Sequence, residues 1–158
     1  MPRLLRHGGL VEDDWRRLAP GEQDFDGPKI LVPLDTWLAH REALSGRAPQ
    51  RIGIWFEGDQ EPDVLEGDLA RFDCIAIRFP AFTDGRGFSC ARLLRERYRY
   101  RGELRAIGDI LPDQLHYLWR CGFDAFELPD EVQLDTALAC LAAFSSSYQS
   151  AVREAAPG

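Results

Sequence analysis

The sequence predicts an α/β domain in which repeated strand–helix units form a parallel sheet of about five strands flanked by helices. From residue 29 onward, short apolar runs alternate with longer segments of helical periodicity, which indicates right-handed βαβ units. The runs are apolar at successive positions, as expected for strands covered by helices on both faces. Either an open doubly wound sheet or a partial (β/α) barrel fits, because 158 residues are too few for a complete eight-unit barrel.

The elements follow in chain order. Residues 1–28 are expected to form a peripheral N-terminal segment with a small hairpin that turns at Gly8-Gly9. Residues 29–149 are expected to form a single α/β domain, and residues 150–158 a frayed tail. Predicted strands cover residues 30–34, 51–56, 74–79, 104–107 and 123–128, and predicted helices cover residues 36–44, 62–72, 88–99, 112–121 and 132–147.

Helix boundaries have local signals. Asp35 is expected to cap the first helix, and Gly67 weakens the middle of the second. The fourth helix opens on Pro112 and ends at Gly122, the positions that suit these two residue types.

Charge and composition exclude several classes of protein. The net charge of −7 argues against general nucleic-acid binding. No run of about 18 apolar residues predicts a membrane span, and the N-terminus lacks the apolar region of a signal peptide. A cytoplasmic protein is therefore expected. Its cations are 18 arginines and one lysine, Lys29, so an anion site would use guanidinium groups.

The cysteines and histidines predict no metal site and no bound cofactor. The four cysteines are Cys74, Cys90, Cys121 and Cys140, and no two of them form a C-x-x-C pair. The three histidines are scattered. The cysteines are expected to be small apolar core residues in a reducing compartment.

Polar residues follow the predicted strands, at the edge where parallel α/β sheets bind ligands. They are Arg78, Asp84, Arg86, Ser89, Asp109 and Glu127, with Asp35 and Glu57 in equivalent places. Asp84 could instead close a turn, and Asp109 could cap a helix. Glu127 at a covered strand end needs a partner, for which Arg78 and Arg105 are candidates. A structural salt bridge and a catalytic acid both satisfy this pattern.

The loop Asp84-Gly85-Arg86-Gly87 precedes the third helix. It lacks the third glycine of the dinucleotide motif G-x-G-x-x-G, and no G-K-[ST] follows it. Free backbone N–H groups of Gly85 and Gly87, the Arg86 fork and the Ser89 hydroxyl could bind a phosphate or sulfur oxyanion. The alternative is a plain strand-to-helix turn.

The helix behind this loop carries Arg92, Arg95 and Arg99 with the spacing of one face. The general interpretation is a solvated surface. The specific hypothesis is a docking face for an acidic protein.

The run RFPAFTDGRGFSCARLLRERYRYRGELRAIGDILPDQLHYLWRCGFDAFEL, residues 78–128, resembles the core of an uncharacterised bacterial family with a domain of unknown function. Members are sometimes described as oxidoreductases, and their genes often lie beside those of assimilatory sulfite reductase. The resemblance implies a cytoplasmic role near sulfite reduction and cysteine biosynthesis, and it supplies no catalytic residue. An oxidoreductase fits poorly, because the sequence lacks a dinucleotide fingerprint and a cysteine cluster.

Two functions are therefore expected. The first is an accessory protein of assimilatory sulfite reduction that docks on sulfite reductase or its electron donor. The alternative is a small enzyme or sensor that binds an anionic metabolite at the carboxyl ends of the strands. A structural module without a ligand is the third possibility.

Overall fold

The computed structural model describes residues 3–6, 9–46, 51–80, 85–129 and 132–145. In chain order the strands are β1 (Arg3–Arg6), β2 (Gly9–Val11), β3 (Arg16–Arg17), β4 (Lys29–Pro33), β5 (Arg51–Glu57), β6 (Cys74–Phe79), β7 (Glu103–Gly108) and β8 (Ala125–Leu128). The α-helices are α1 (Leu34–Ala39), α2 (Arg41–Ser45), α3 (Arg86–Arg92), α4 (Leu115–Cys121) and α5 (Leu134–Ser145). The predicted turn residue Gly8 and the predicted tail lie outside the described residues.

All eight strands belong to one sheet, in the order β2-β1-β8-β7-β6-β5-β4-β3. Strands β3 to β8 are parallel, and β1 pairs antiparallel with both β2 and β8. Because β4 to β8 lie side by side in chain order, the sheet is singly wound and curls into a half-barrel. Of the two predicted architectures, the structure therefore has the partial barrel.

The predicted number of about five strands is wrong. The five predicted strands are present as β4 to β8, and the N-terminal segment adds β1, β2 and β3 to the same sheet. The predicted hairpin forms the antiparallel pair of β1 and β2. These additional strands are only two to four residues long, so they carry little periodicity from which a sheet strand could be recognised.

The predicted helices differ from the observed ones in detail. Pro33, and not Asp35, is the N-cap of α1, and Asp35 lies in its first turn. The weak helix predicted after β5 is replaced by two 3₁₀ turns, Pro62–Leu65 and Leu69–Arg71. Beyond α3 the chain continues as a π-helical turn, Leu93–Arg97.

The outer face of the sheet packs against the helices. Alternate residues of β5 and β6 point to this face, and all are almost completely buried: Ile52, Ile54, Phe56, Ile75, Ile77 and Phe79. They join one hydrophobic cluster with side chains of the helices, among them Trp37, Leu94 and Leu118. Burial of this apolar face is the main favourable contribution to folding.

The inner face is covered differently from the prediction. In the described part of the chain the helices pack against the outer face. Residues 12–18, here called the crossing segment, lead from the end of β2 across the inner face and include β3. Asp13 contacts Arg105 of β7 at 3.1 Å, and Arg17 contacts Glu127 of β8 at 2.6 Å. The indole Nε1 of Trp55 donates to the carbonyl of Leu18 at 2.9 Å.

Charged side chains are buried beneath the crossing segment. Arg105 is 1% exposed and donates from Nε and Nη2 to Glu103 at 3.1 and 2.9 Å. Glu103 also accepts from Arg6 at 2.7 Å and from the Cys74 thiol at 3.3 Å. Burial raises the pKa of the Cys74 thiol well above its ordinary value, so this thiol stays neutral and acts as a hydrogen-bond donor.

Arg105→Met tests the importance of this buried cluster. The change leaves two carboxylates without their shared cation, so we expect the free energy of unfolding in urea to fall by about 3 kcal/mol. The control is Arg51→Ala, because Arg51 is 60% exposed and lies 3.7 Å from Asp73. This control should cost less than about 1 kcal/mol. Equal losses for the two variants would contradict a structural role for the cluster.

Candidate functional site

The carboxyl ends of β5 and β6 bring Glu57 and Arg78 together. These residues are register partners in neighbouring parallel strands, and Nη1 of Arg78 lies 2.9 and 3.1 Å from the two carboxylate oxygens of Glu57. Both side chains are partly accessible to solvent. Arg78 is thus held at the predicted ligand-binding edge, with its charge compensated by Glu57.

Glu127 has a different partner from those predicted. Neither Arg78 nor Arg105 contacts it; Arg17 donates to Oε2 at 2.6 Å. The Glu127 side chain is 11% exposed and that of Arg17 is 39% exposed. Of the two roles left open by the sequence, this geometry favours a salt bridge that ties the crossing segment to β8.

Asp109 is exposed and does not cap the following helix. Its backbone N–H donates to the carbonyl of Phe79 at 2.8 Å, which joins the end of β7 to the end of β6. The next helical segment is the 3₁₀ turn Pro112–Gln114; its N-cap residue is Leu111, whose N–H donates to the side chain of Gln114 at 2.9 Å. The Asp109 carboxylate is therefore left at the strand edge, open to solvent.

The glycine-rich loop leads directly into α3. Gly85 is the N-cap residue, and Gly85, Arg86 and Ser89 are exposed. Gly87 is buried, and a Cβ at this position would collide with the Phe79 ring. Packing therefore requires glycine at position 87. Asp84 lies outside the described residues, and anion binding by Gly85, Arg86 and Ser89 stays a prediction.

The three predicted docking arginines do not share one exposed face. Arg92 is exposed and its guanidinium lies 5.8 Å from the Tyr117 ring. Arg95 is buried and donates to the carbonyls of Gly122, Tyr100 and Gly102 at 3.0, 2.9 and 2.8 Å. Arg92 and Arg95 point in different directions because the π-helical turn Leu93–Arg97 changes the angle between successive side chains from that of the α-helix assumed in the prediction.

Arg99 lies beyond the helix and has a φ of +60°. It belongs to a different group of cations, Arg97, Arg99 and Arg101, all of which are exposed. Within the described part of the chain, none of these three forms a salt bridge. Below, the name docking arginines refers to Arg97, Arg99 and Arg101, and no longer to the predicted set of Arg92, Arg95 and Arg99.

No sequence pattern indicates the partners that the crossing segment supplies. Arg17 and Asp13 lie in a short polar stretch with no periodicity, and their partners lie far away in the chain. Only the charged residues at inward-facing strand positions, Arg105 and Glu127, indicate that some other segment must supply side chains of opposite charge.

The family model named "Bacterial protein of unknown function (DUF934)" matches residues 53–158. The chain belongs to this family. The match covers the segment from β5 to α5 and confirms the resemblance of residues 78–128 to an uncharacterised bacterial family. No curated protein and no solved structure gives a significant match.

The described residues of this DUF934 protein have two properties that concern metal binding and membrane insertion. They contain no group of three or more His, Cys, Asp or Glu side chains that could hold a metal ion. Among them there is also no helix with the length and apolar character needed to cross a membrane.

Gly87→Ala and Gly85→Ala test whether packing requires glycine at position 87 and not at position 85 of the loop. The added methyl group at position 87 collides with Phe79, whereas at position 85 it meets nothing within 4 Å. We expect a loss of about 1–3 kcal/mol in unfolding free energy for Gly87→Ala and less than about 0.5 kcal/mol for Gly85→Ala. Chemical denaturation measures both. A stability loss for Gly85→Ala as large as that for Gly87→Ala would contradict this assignment.

Arg95→Met tests whether Arg95 is structural. Three carbonyl groups lose their donor, so we expect the unfolding free energy to fall by about 3 kcal/mol. The matched control is Arg97→Met, because Arg97 lies in the same π-helical turn and is exposed. That variant should unfold within about 0.5 kcal/mol of the unmodified protein. The hypothesis fails if the two variants are equally stable.

Proposed function

We propose that this DUF934 protein is an accessory protein of assimilatory sulfite reduction that docks on an acidic surface of sulfite reductase or its electron donor. The observation that carries the proposal is the cluster of exposed docking arginines without salt bridges in the described part of the chain. The pathway itself is suggested only by the sequence resemblance of residues 78–128.

The docking arginines contrast with the other arginines. Many of those form salt bridges within the chain, including Arg6, Arg17, Arg78 and Arg105. The docking arginines lie within five consecutive residues, so they concentrate positive charge on a protein whose net charge is −7. Such a surface steers association with a negatively charged partner, and salt weakens the attraction.

A groove beside Arg97 offers a place for side chains of the partner. Its volume is about 270 Å³, and Arg97 and Tyr98 line one part of it. Leu69 and Ala70, from the 3₁₀ turn before β6, line another part together with Glu66 and Gly67. Charge and a partly apolar surface thus lie next to each other, as in protein interfaces with a polar rim.

The proposal is tested by surface plasmon resonance at low salt, with immobilised protein and with sulfite reductase and its electron donor as separate analytes. We expect one of them to bind, and Arg99→Glu to weaken that binding several-fold, mainly through slower association. Raising the salt concentration should weaken binding by the unmodified protein more than by the variant.

The control for this experiment is Arg120→Glu, which makes the same charge change at an exposed position on α4. It should leave the affinity nearly unchanged. Failure of both analytes to bind at low salt would overturn the proposal, as would equal losses for the two variants.

A further inference from the structure

A second cavity opens at the carboxyl ends of β4 and β5, between the start of α1 and the loop after β3. Its volume is about 200 Å³. The polar and aromatic residues that line it are Asp35, Thr36, Trp55, Phe56, Glu57 and Gln60. It lies at the edge where parallel α/β sheets bind ligands.

The charge around this cavity is negative. Asp35 is exposed and forms no salt bridge with any described residue. Glu57 is held by Arg78, and no arginine or lysine lines the cavity. The uncompensated charge is thus that of Asp35, and the cavity attracts a cation.

Thr36 gives independent evidence for a ligand. The residue is only 8% exposed and lines the cavity, yet its hydroxyl has no hydrogen-bond partner in the described part of the chain. The hydroxyl is therefore free to accept a hydrogen bond from a molecule in the cavity. A ligand with N–H groups would supply that partner.

The remaining walls suit a small organic cation. The Trp55 indole is fixed by its hydrogen bond to Leu18, and aromatic rings favour contact with ammonium and guanidinium groups. The Gln60 side chain is held by the backbone N–H of Glu57 at 3.1 Å. The volume of about 200 Å³ is below the roughly 300–1,000 Å³ of pockets that hold drug-sized ligands.

We propose that this cavity binds a small organic monocation with an ammonium or guanidinium group. Asp35 accepts hydrogen bonds from the cationic group, the Thr36 hydroxyl accepts a further one, and Trp55 packs against the ligand. The site is independent of the docking arginines, because it uses none of their side chains.

Isothermal titration calorimetry of the purified chain tests this proposal. The probes are n-butylammonium and methylguanidinium, with n-butyrate as the anionic control. We expect saturable binding of at least one cation and none of n-butyrate. Preference between the two cations identifies the head group. No saturable binding of either cation would overturn the proposal.

Two variants and one control make the test specific. Asp35→Asn removes the charge, and Thr36→Val removes the hydroxyl while keeping the shape; each should weaken cation binding by about tenfold. The control is Asp63→Asn, an equal charge change at an exposed position outside the cavity, which should leave the affinity unchanged. Urea unfolding of each variant verifies folding. Unchanged affinity in a folded Asp35→Asn protein would also overturn the proposal.

Discussion

The short connection between β2 and β3 constrains the whole sheet. These strands lie at its opposite edges, yet β2 ends at Val11 and β3 begins at Arg16. Five residue steps span at most about 18 Å, whereas the edges of a flat eight-stranded sheet would lie about 34 Å apart. The sheet must therefore curl, and the connection must cross its inner face. This crossing brings Asp13 and Arg17 to β7 and β8, which are remote in the chain.

Curling encloses charged side chains that a flat sheet would leave in water. Arg105, Glu103 and Asp13 then compensate one another, because a buried charge without a partner is very costly. Buried ion pairs contribute little net stability compared with apolar packing, but removing one partner is strongly unfavourable. The ion pairs among Arg105, Glu103 and Asp13 therefore favour one position of the crossing segment on the inner face, because any other position would leave a charge without its partner. Several arginines of the chain form such structural ion pairs, since one guanidinium group can donate hydrogen bonds to several acceptors at once.

The two proposed binding surfaces lie at opposite ends of the sheet. The acidic cavity lies at the carboxyl ends of β4 and β5. The docking arginines follow α3, which begins after the carboxyl end of β6 and leads back to the amino end of β7. A cation in the cavity and a protein partner at the docking arginines would therefore not compete for space. Each proposal can fail without affecting the other.

The sequence by itself determined the parallel core, from β4 to β8, because runs such as 52–56 and 74–79 are apolar and have helical segments between them. It also determined the end of α4 at Gly122, whose φ is +116°. Only the tertiary structure decided the partners of the inward-facing charges. Arg17 and Glu127 are separated by 110 residues, and their contact depends on the curl of the sheet. The burial of Arg95 likewise depends on a π-helical turn and on distant carbonyl groups, neither of which a helical pattern specifies.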